Sequence, residues 1–178
     1  MSHSPVSVDE ITRAVRNVPD FPKPGIQFKD ITPVLQNPRL FAGAIDLLAA
    51  GHAPGSVDAV VGIDARGFIF ASAVALKLRA GFVPVRKKGK LPWQSHEQSY
   101  DLEYGSNTIA IHTDAVHPGS KVLLVDDLLA TGGTAGAAMA LLKRLGADVV
   151  EARFLIELAF LNGRQRLNDT KVSALVVY

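Results

Sequence analysis

Apolar residues in this chain recur with two rhythms, and their succession sets the expected architecture. Val8, Ile11, Ala14, Val15 and Val18 fall near a 3.6-residue period behind Ser7, which predicts a short capped helix over Ser7–Val18. Pro22, Pro24 and Gly25 then predict a stiff irregular loop from Asp20 to Pro33. Asn37, Pro38 and Gly51 bracket the next helix as cap, first position and exit. The run Asp58–Asp64 predicts a buried strand, and Arg66–Gly81 a helix closed by Gly81.

Phe82–Arg86 reads as a further strand leading into a basic loop, Arg86–Ser99, while Tyr100–Tyr104 and Asn107–Asp114 alternate as paired strands do. Lys121–Asp127 is a continuous apolar run suited to a sheet covered on both faces. A helix over Gly133–Leu145, stopped by Gly146, separates it from two more strands, Asp148–Leu158 and Lys171–Tyr178. Strand and helix alternate, so the expected fold is α/β: a mostly parallel central sheet flanked by helices. In such sheets ligands bind beyond the carboxyl ends of the strands.

Length and composition narrow this picture. A chain of 178 residues, 48% hydrophobic, buries one good core, which predicts a single domain. The 19 basic and 17 acidic residues nearly balance, giving no support to a nucleic-acid-binding surface. Absence of cysteine excludes disulfides and thiolate metal sites. The first residues lack the charged start and apolar block of a signal peptide. The longest uncharged stretch, Leu128–Leu142, is shorter than the ~20 residues a bilayer requires, so a soluble cytoplasmic protein is expected.

The most informative stretch is Val122–Gly136, where an apolar strand ends in Asp126-Asp127 and a Thr-Gly-Gly-Thr turn precedes a helix. Glycine lets backbone N–H groups approach an anion, and the following helix adds its positive end. A Walker A loop would need a lysine after its second glycine, and a dinucleotide fingerprint would place its acid about 20 residues later; here the acids come first. Carboxylates accept hydrogen bonds from vicinal hydroxyls, so a sugar phosphate suits the pattern. Strand, glycine pair and helix alone also fit a plain chain reversal.

The whole signature, four apolar residues, two acids and the Thr-Gly-Gly-Thr loop, resembles that of the type I phosphoribosyltransferases. Asp20–Leu35, Gly62–Ala75, Arg86–Pro92 and Tyr100–Gly105 are similar, in the same order, to the adenine-using branch of that family. The resemblance implies that 5-phosphoribosyl 1-pyrophosphate is the cosubstrate, adenine the acceptor, and AMP and pyrophosphate the products. It implies that Asp126, Asp127, Ala130, Thr131, Gly132, Gly133 and Thr134 bind the phosphoribosyl group. Asp64, Ala65, Arg66 and Gly67, with Arg86, Lys87 and Lys90 from a flexible lid loop, are implied for pyrophosphate. Residues 1–35 would form a small base-binding hood, in which the Gln27 carbonyl and Lys29 N–H read adenine while Phe28 packs on it. Glu103 and Arg66 are the implied catalytic pair, with Mg²⁺ carried by substrate and water rather than by protein ligands, in a homodimer. Read without the resemblance, Arg66 is a solvated helix-start residue, Phe28 core packing, Glu103 an exposed strand residue, and Lys88 and His96 plain surface. Two rival activities stay open from sequence: transfer to another purine (xanthine, hypoxanthine or guanine), and a non-catalytic sensor of the cosubstrate.

Overall fold

The computed structural model describes residues 5–101 (Asp101 by its backbone), 106–167 and 170–178. Its described residues divide into two compact units, one reaching to Leu47 and the other running from Leu48 to Tyr178.

In the first unit, helix α1 (Val8–Ala14) starts at a capping box: the Ser7 hydroxyl accepts from the Glu10 N–H while the Glu10 carboxylate accepts from the Ser7 N–H. The helix stops sooner than its periodicity suggests. Arg16–Pro19 is instead strand β1, paired antiparallel with β2 (Gln27–Asp30) inside what reads as an irregular loop. Pairing overrides the local breakers because Pro22, Pro24 and Gly25 occupy the connection and leave the ladder intact. The connection closes where Asp20, at φ +56°, accepts the Gly25 N–H on its carboxylate at 2.8 Å. A short helix α2 (Thr32–Gln36) precedes α3 (Pro38–Ala49), whose Arg39 and Leu40 amides donate to Asn37 Oδ1 at 3.0 and 3.1 Å.

The second unit is built on a seven-stranded sheet. Its strands are β3 (Ala59–Ile63), β4 (Gly81–Lys87), β5 (Ser95–Asp101), β6 (Ser106–His112), β7 (Lys121–Leu129), β8 (Asp148–Glu157) and β9 (Val172–Val177). Their spatial order is β5-β6-β4-β3-β7-β8-β9. The five strands from β4 to β9 in that order are parallel, and β5 and β6 add an antiparallel edge. β3 and the centre of β7 are apolar throughout because both of their faces are covered. Helix α5 (Gly133–Arg144) packs with Val61, Ile63, Val122 and Leu124 in one core. Helix α4 (Gly67–Leu78) packs on the alternate face, where Gly62 leaves room for Ala71.

Two boundaries differ from the sequence reading. α4 is closed by Arg79 in the left-handed region at φ +53°, and Gly81 already belongs to β4. Ser95–Ser99, read as part of the basic loop, belongs to β5 because β6 supplies it with a register from Ser95↔His112 to Asp101↔Ser106. No helix among the described residues is long and apolar enough to cross a membrane.

Candidate active site

Two strand-turn-helix corners meet at the carboxyl ends of β3 and β7. Between them lies a cavity of about 400 Å³ lined by residues 63–66 and 126–135. That is within the range of small-molecule sites, roughly 300–1,000 Å³.

The first corner is Asp64-Ala65-Arg66 between β3 and α4, with a cis peptide between Asp64 and Ala65. Gly67, the first residue of α4, lies so close to the Asp126 carboxylate that a Cβ there would collide with it. The second corner is Ala130-Thr131-Gly132 between β7 and α5. Gly132 takes φ +77° as the residue before the helix, and no side chain caps the helix start. Among the described residues no side chain accepts from the first amide hydrogens of α5, the arrangement that suits an anion.

The acids at the end of β7 are not equivalent. Asp127 Oδ2 accepts from Arg66 Nε at 2.5 Å, which ties the two corners by a charge-assisted bond. Asp126 Oδ1 accepts the Asp127 N–H at 3.0 Å. Burial pushes the Asp126 carboxyl well up from its ordinary value, the neighbouring Asp127 charge adds to that, and the Asp127 N–H and the Arg66 charge offset it incompletely. The corner thus holds an acid whose ionisation burial disfavours beside an ion-paired one.

The basic run is divided among different partners. Arg86, at the end of β4, donates from Nε to Asp64 Oδ2 at 3.1 Å and from Nη1 to the Lys90 carbonyl at 3.0 Å, so it braces the first corner against the following turn. Lys88 pairs with Glu97 on β5 at 2.7 Å. Lys87 and Lys90 are exposed on that turn, which the Lys90 N–H closes onto the Lys87 carbonyl at 3.1 Å. Trp93 is exposed and His96 half-buried.

Of the residues singled out from sequence, Asp64, Ala65, Arg66, Asp126, Asp127 and Ala130 to Thr134 share one cavity. Gly67 adjoins it through Asp126, and Arg86 through Asp64. Gln27, Phe28 and Lys29 lie on β2 of the first unit. There the Ile26 carbonyl accepts from the Phe21 N–H on the β1 side. Alternation along the strand turns the Gln27 carbonyl and the Lys29 N–H to the opposite edge. Pro19, which lacks an N–H, sits across from Gln27 without loss. Phe28 is half-buried and meets Phe21 edge to face at 5.1 Å between ring centroids. Glu103 lies outside the described residues.

Sequence reasoning missed two neighbours of the cavity. The Thr134 hydroxyl bonds to the Tyr100 hydroxyl at 3.0 Å, so β5 reaches the first turn of α5. Gly163 packs on the main chain of the turn before α5. Nothing in an Asn-Gly-Arg segment distinguishes it from an ordinary reversal. Among the described residues no three His, Asp or Glu side chains gather to hold a metal.

A family model described as the phosphoribosyl transferase domain matches residues 30–174. The chain is 54% identical over 173 residues to the adenine phosphoribosyltransferase of Acidothermus cellulolyticus, covering 97% of this chain and 98% of that protein. Its fold is similar to the crystal structure of adenine phosphoribosyltransferase from Thermoanaerobacter pseudethanolicus, with a TM-score of 0.92, 45% identity, and 97% and 100% of the two chains covered. The Saccharomyces cerevisiae enzyme, solved with an imino-altritol bisphosphate and adenine, gives a TM-score of 0.89 at 42% identity, covering 94% of this chain and 97% of that one.

Proposed function

Because this chain belongs to the phosphoribosyltransferase family and matches adenine phosphoribosyltransferases along nearly their whole length, we propose that it makes AMP and pyrophosphate from adenine and 5-phosphoribosyl 1-pyrophosphate, a purine-salvage reaction. The observation that carries this reading is the single cavity shared by Asp126-Asp127, the uncapped turn before α5 and the Arg66 corner. A 5-phosphate belongs on the turn, the ribose hydroxyls on the acids, and the pyrophosphate on the residue 64–67 corner.

In the reaction, purine N9 forms a bond to C1 of the ribose as the bond from C1 to the pyrophosphate oxygen breaks, and the N9 proton must leave. Charge builds on the departing oxygens while the ribose becomes oxocarbenium-like. Arg66 is the guanidinium placed to meet that charge, and moving from Asp127 to the substrate would free a carboxylate for the ribose hydroxyls. Lys87 and Lys90 add positive field from the lid. Glu103 is proposed to hold the purine proton. At the base, the Gln27 carbonyl would accept from the exocyclic amine and the Lys29 N–H donate to ring N1, which rejects a 6-oxo purine by leaving polar groups unpaired. Phe28 would pack on the ring.

The donor set suits magnesium that takes its oxygens from substrate and water, because Asp126 already accepts the Asp127 N–H and Asp127 is paired with Arg66. When bound it would supply charge neutralisation for the pyrophosphate, and Asp127 is the residue that would hold it through water. The two compact units are read as one phosphoribosyltransferase domain with residues 1–35 as the base hood; the family match runs across their division. A homodimer is the proposed assembly, supported by the exposed apolar side chains Ile69, Leu76 and Phe82. The cytoplasm is the proposed compartment.

The test is to incubate the protein with the cosubstrate, Mg²⁺ and each of adenine, hypoxanthine, guanine and xanthine. AMP formation confined to adenine is expected. Turnover of a 6-oxo purine would overturn the base assignment, and ligand binding without turnover of any base would overturn the enzymatic reading.

A further inference from the structure

Behind the turn before α5 lies a segment that does not line the cavity. It consists of two 3₁₀ turns, Ala159–Leu161 and Gly163–Leu167, that follow β8. A Cβ on Gly132 would collide with the Gly163 carbonyl oxygen. A Cβ on Gly163 would collide with the Ala130 carbonyl oxygen and come within 3.0 Å of the Gly132 nitrogen. The two segments therefore touch main chain to main chain, with no room for a side chain on either side. The first turn of α5 rests on the same support, since a Cβ on Gly136 would stand 3.4 Å from the Arg166 carbonyl oxygen.

What holds the support is a fork of charge. Arg164 donates from Nε and Nη2 to the two oxygens of Glu157 at 2.6 and 2.5 Å, and from Nη1 to the Val172 carbonyl on β9 at 2.8 Å. Glu157 is only 4% exposed and sits at the carboxyl end of β8, the end where the cavity lies. Its bonds to Arg164 hold the guanidinium above its ordinary value. Removing the arginine would leave a buried carboxylate unpaired, so the segment must move to hydrate it.

We infer that Gly163 and the Glu157–Arg164 pair are positioning residues for phosphate recognition: the pair fixes the 3₁₀ segment, and its glycine sets the main-chain course of Ala130–Gly132. This rests on the reading of that turn as the holder of the 5-phosphate. Amide hydrogens that grip an anion tolerate little displacement, and a shift of about 1 Å at a reacting or binding group costs up to ~100-fold. A natural control lies on the same strand. Glu151, also buried and paired with Arg153 at 3.0 Å, is six residues earlier, about 20 Å along β8.

The experiment compares Gly163→Ala, Arg164→Gln, Arg164→Lys and Arg153→Gln with the natural protein. It reads KM for each substrate, the Kd of ribose 5-phosphate by calorimetry, and the melting temperature. Gly163→Ala and Arg164→Gln are expected to raise KM for the cosubstrate and Kd for ribose 5-phosphate about tenfold or more, with KM for adenine unchanged. Arg164→Lys should recover part of that loss, since it restores the charge without the fork. Arg153→Gln should lower the melting temperature and leave both constants alone. If Arg164→Gln lowers the melting temperature but binds ribose 5-phosphate as tightly as the natural protein, the inference fails. It fails too if Arg153→Gln weakens that binding equally. Should Gly163→Ala not fold, the two Arg164 variants decide. A natural protein that forms no AMP yet binds ribose 5-phosphate, with the variants ranked as above, would remove the proposed reaction and keep this inference.

Discussion

Two buried acids on neighbouring strands, Glu151 on β8 and Asp126 on β7, have been pushed in opposite directions. Glu151 is 1% exposed, and burial alone would raise its carboxyl. Hydrogen bonds from Ser173, Arg153 and His52 overcome that and hold it down at about 2. Asp126 is 8% exposed and goes up, because burial and the Asp127 charge outweigh the donors within reach. An acid furnished with partners by its own chain is finished structure. An acid with few of them, at the end of a strand and on the wall of a cavity, is the one to which the proposed function assigns a ligand's hydroxyls.

The sharpest way to break this contrast is to remove one acid from each region in turn, Glu151 from the first and Asp127, the charged neighbour of Asp126, from the second. Glu151→Ala leaves Arg153 and its neighbours buried around an empty place, and stability is expected to fall by about 3–5 kcal/mol. KM for both substrates should stay as in the natural protein, which urea unfolding beside initial rates would check. Asp127→Asn should do the reverse. Losing a charged partner for the ribose costs roughly 1.5–3 kcal/mol, so kcat/KM for the cosubstrate should drop about 10- to 100-fold with the unfolding midpoint nearly unmoved. An Asp127→Asn protein with natural kinetics would erase the distinction between the two regions.

A gentler probe is pH. The Glu151 carboxyl is lowered on folding from 4.5 to about 2, so its contribution to stability is complete above pH 4.5 and disappears as pH falls toward 2. Glu151→Gln should remove that acid-side slope. The Asp126 carboxyl is raised above 3.8, so its acid form favours the folded protein below that value and the contribution is lost as pH rises through the raised value. Asp126→Asn should accordingly flatten the decline of stability on the alkaline side. Unfolding curves collected from acid to neutral pH measure both, and parallel curves for the two variants would count against the comparison.

The parallel sheet was legible because its strands carry their burial in their composition. Ala59–Ile63 and Val122–Val125 are apolar on both faces, as a strand covered by α4 and α5 must be. The residues that line the cavity, Asp64 to Arg66 and Asp126 to Thr134, stood out only through the family resemblance, because glycine and acid at a strand end also fit a plain chain reversal. What escaped was whatever depends on a partner distant in sequence. Ser95–Ser99 has no strand signature until β6 pairs with it. Val18 kept the helical period of α1, yet β2 drew Arg16–Pro19 into a ladder. Arg79 closes α4 in a conformation that local statistics assign to glycine, because the chain must turn there to bring Gly81 beside Ala59. Gly163 stands behind Gly132 only after β8 has returned the chain to the same end of the sheet.

The strand order carries a last consequence, for synthesis. β3, the earliest strand of the sheet to leave the ribosome, lies in its interior between β4 and β7. Its second neighbour is not made until Lys121–Leu129 has emerged, and β9, the outermost strand on that side, follows only at Val172–Val177. A nascent chain must therefore carry an apolar strand with one edge unpaired until β7 has been made. Pairings this remote in sequence form slowly and invite aggregation, which makes the growing polypeptide a natural client for chaperones that shield such edges.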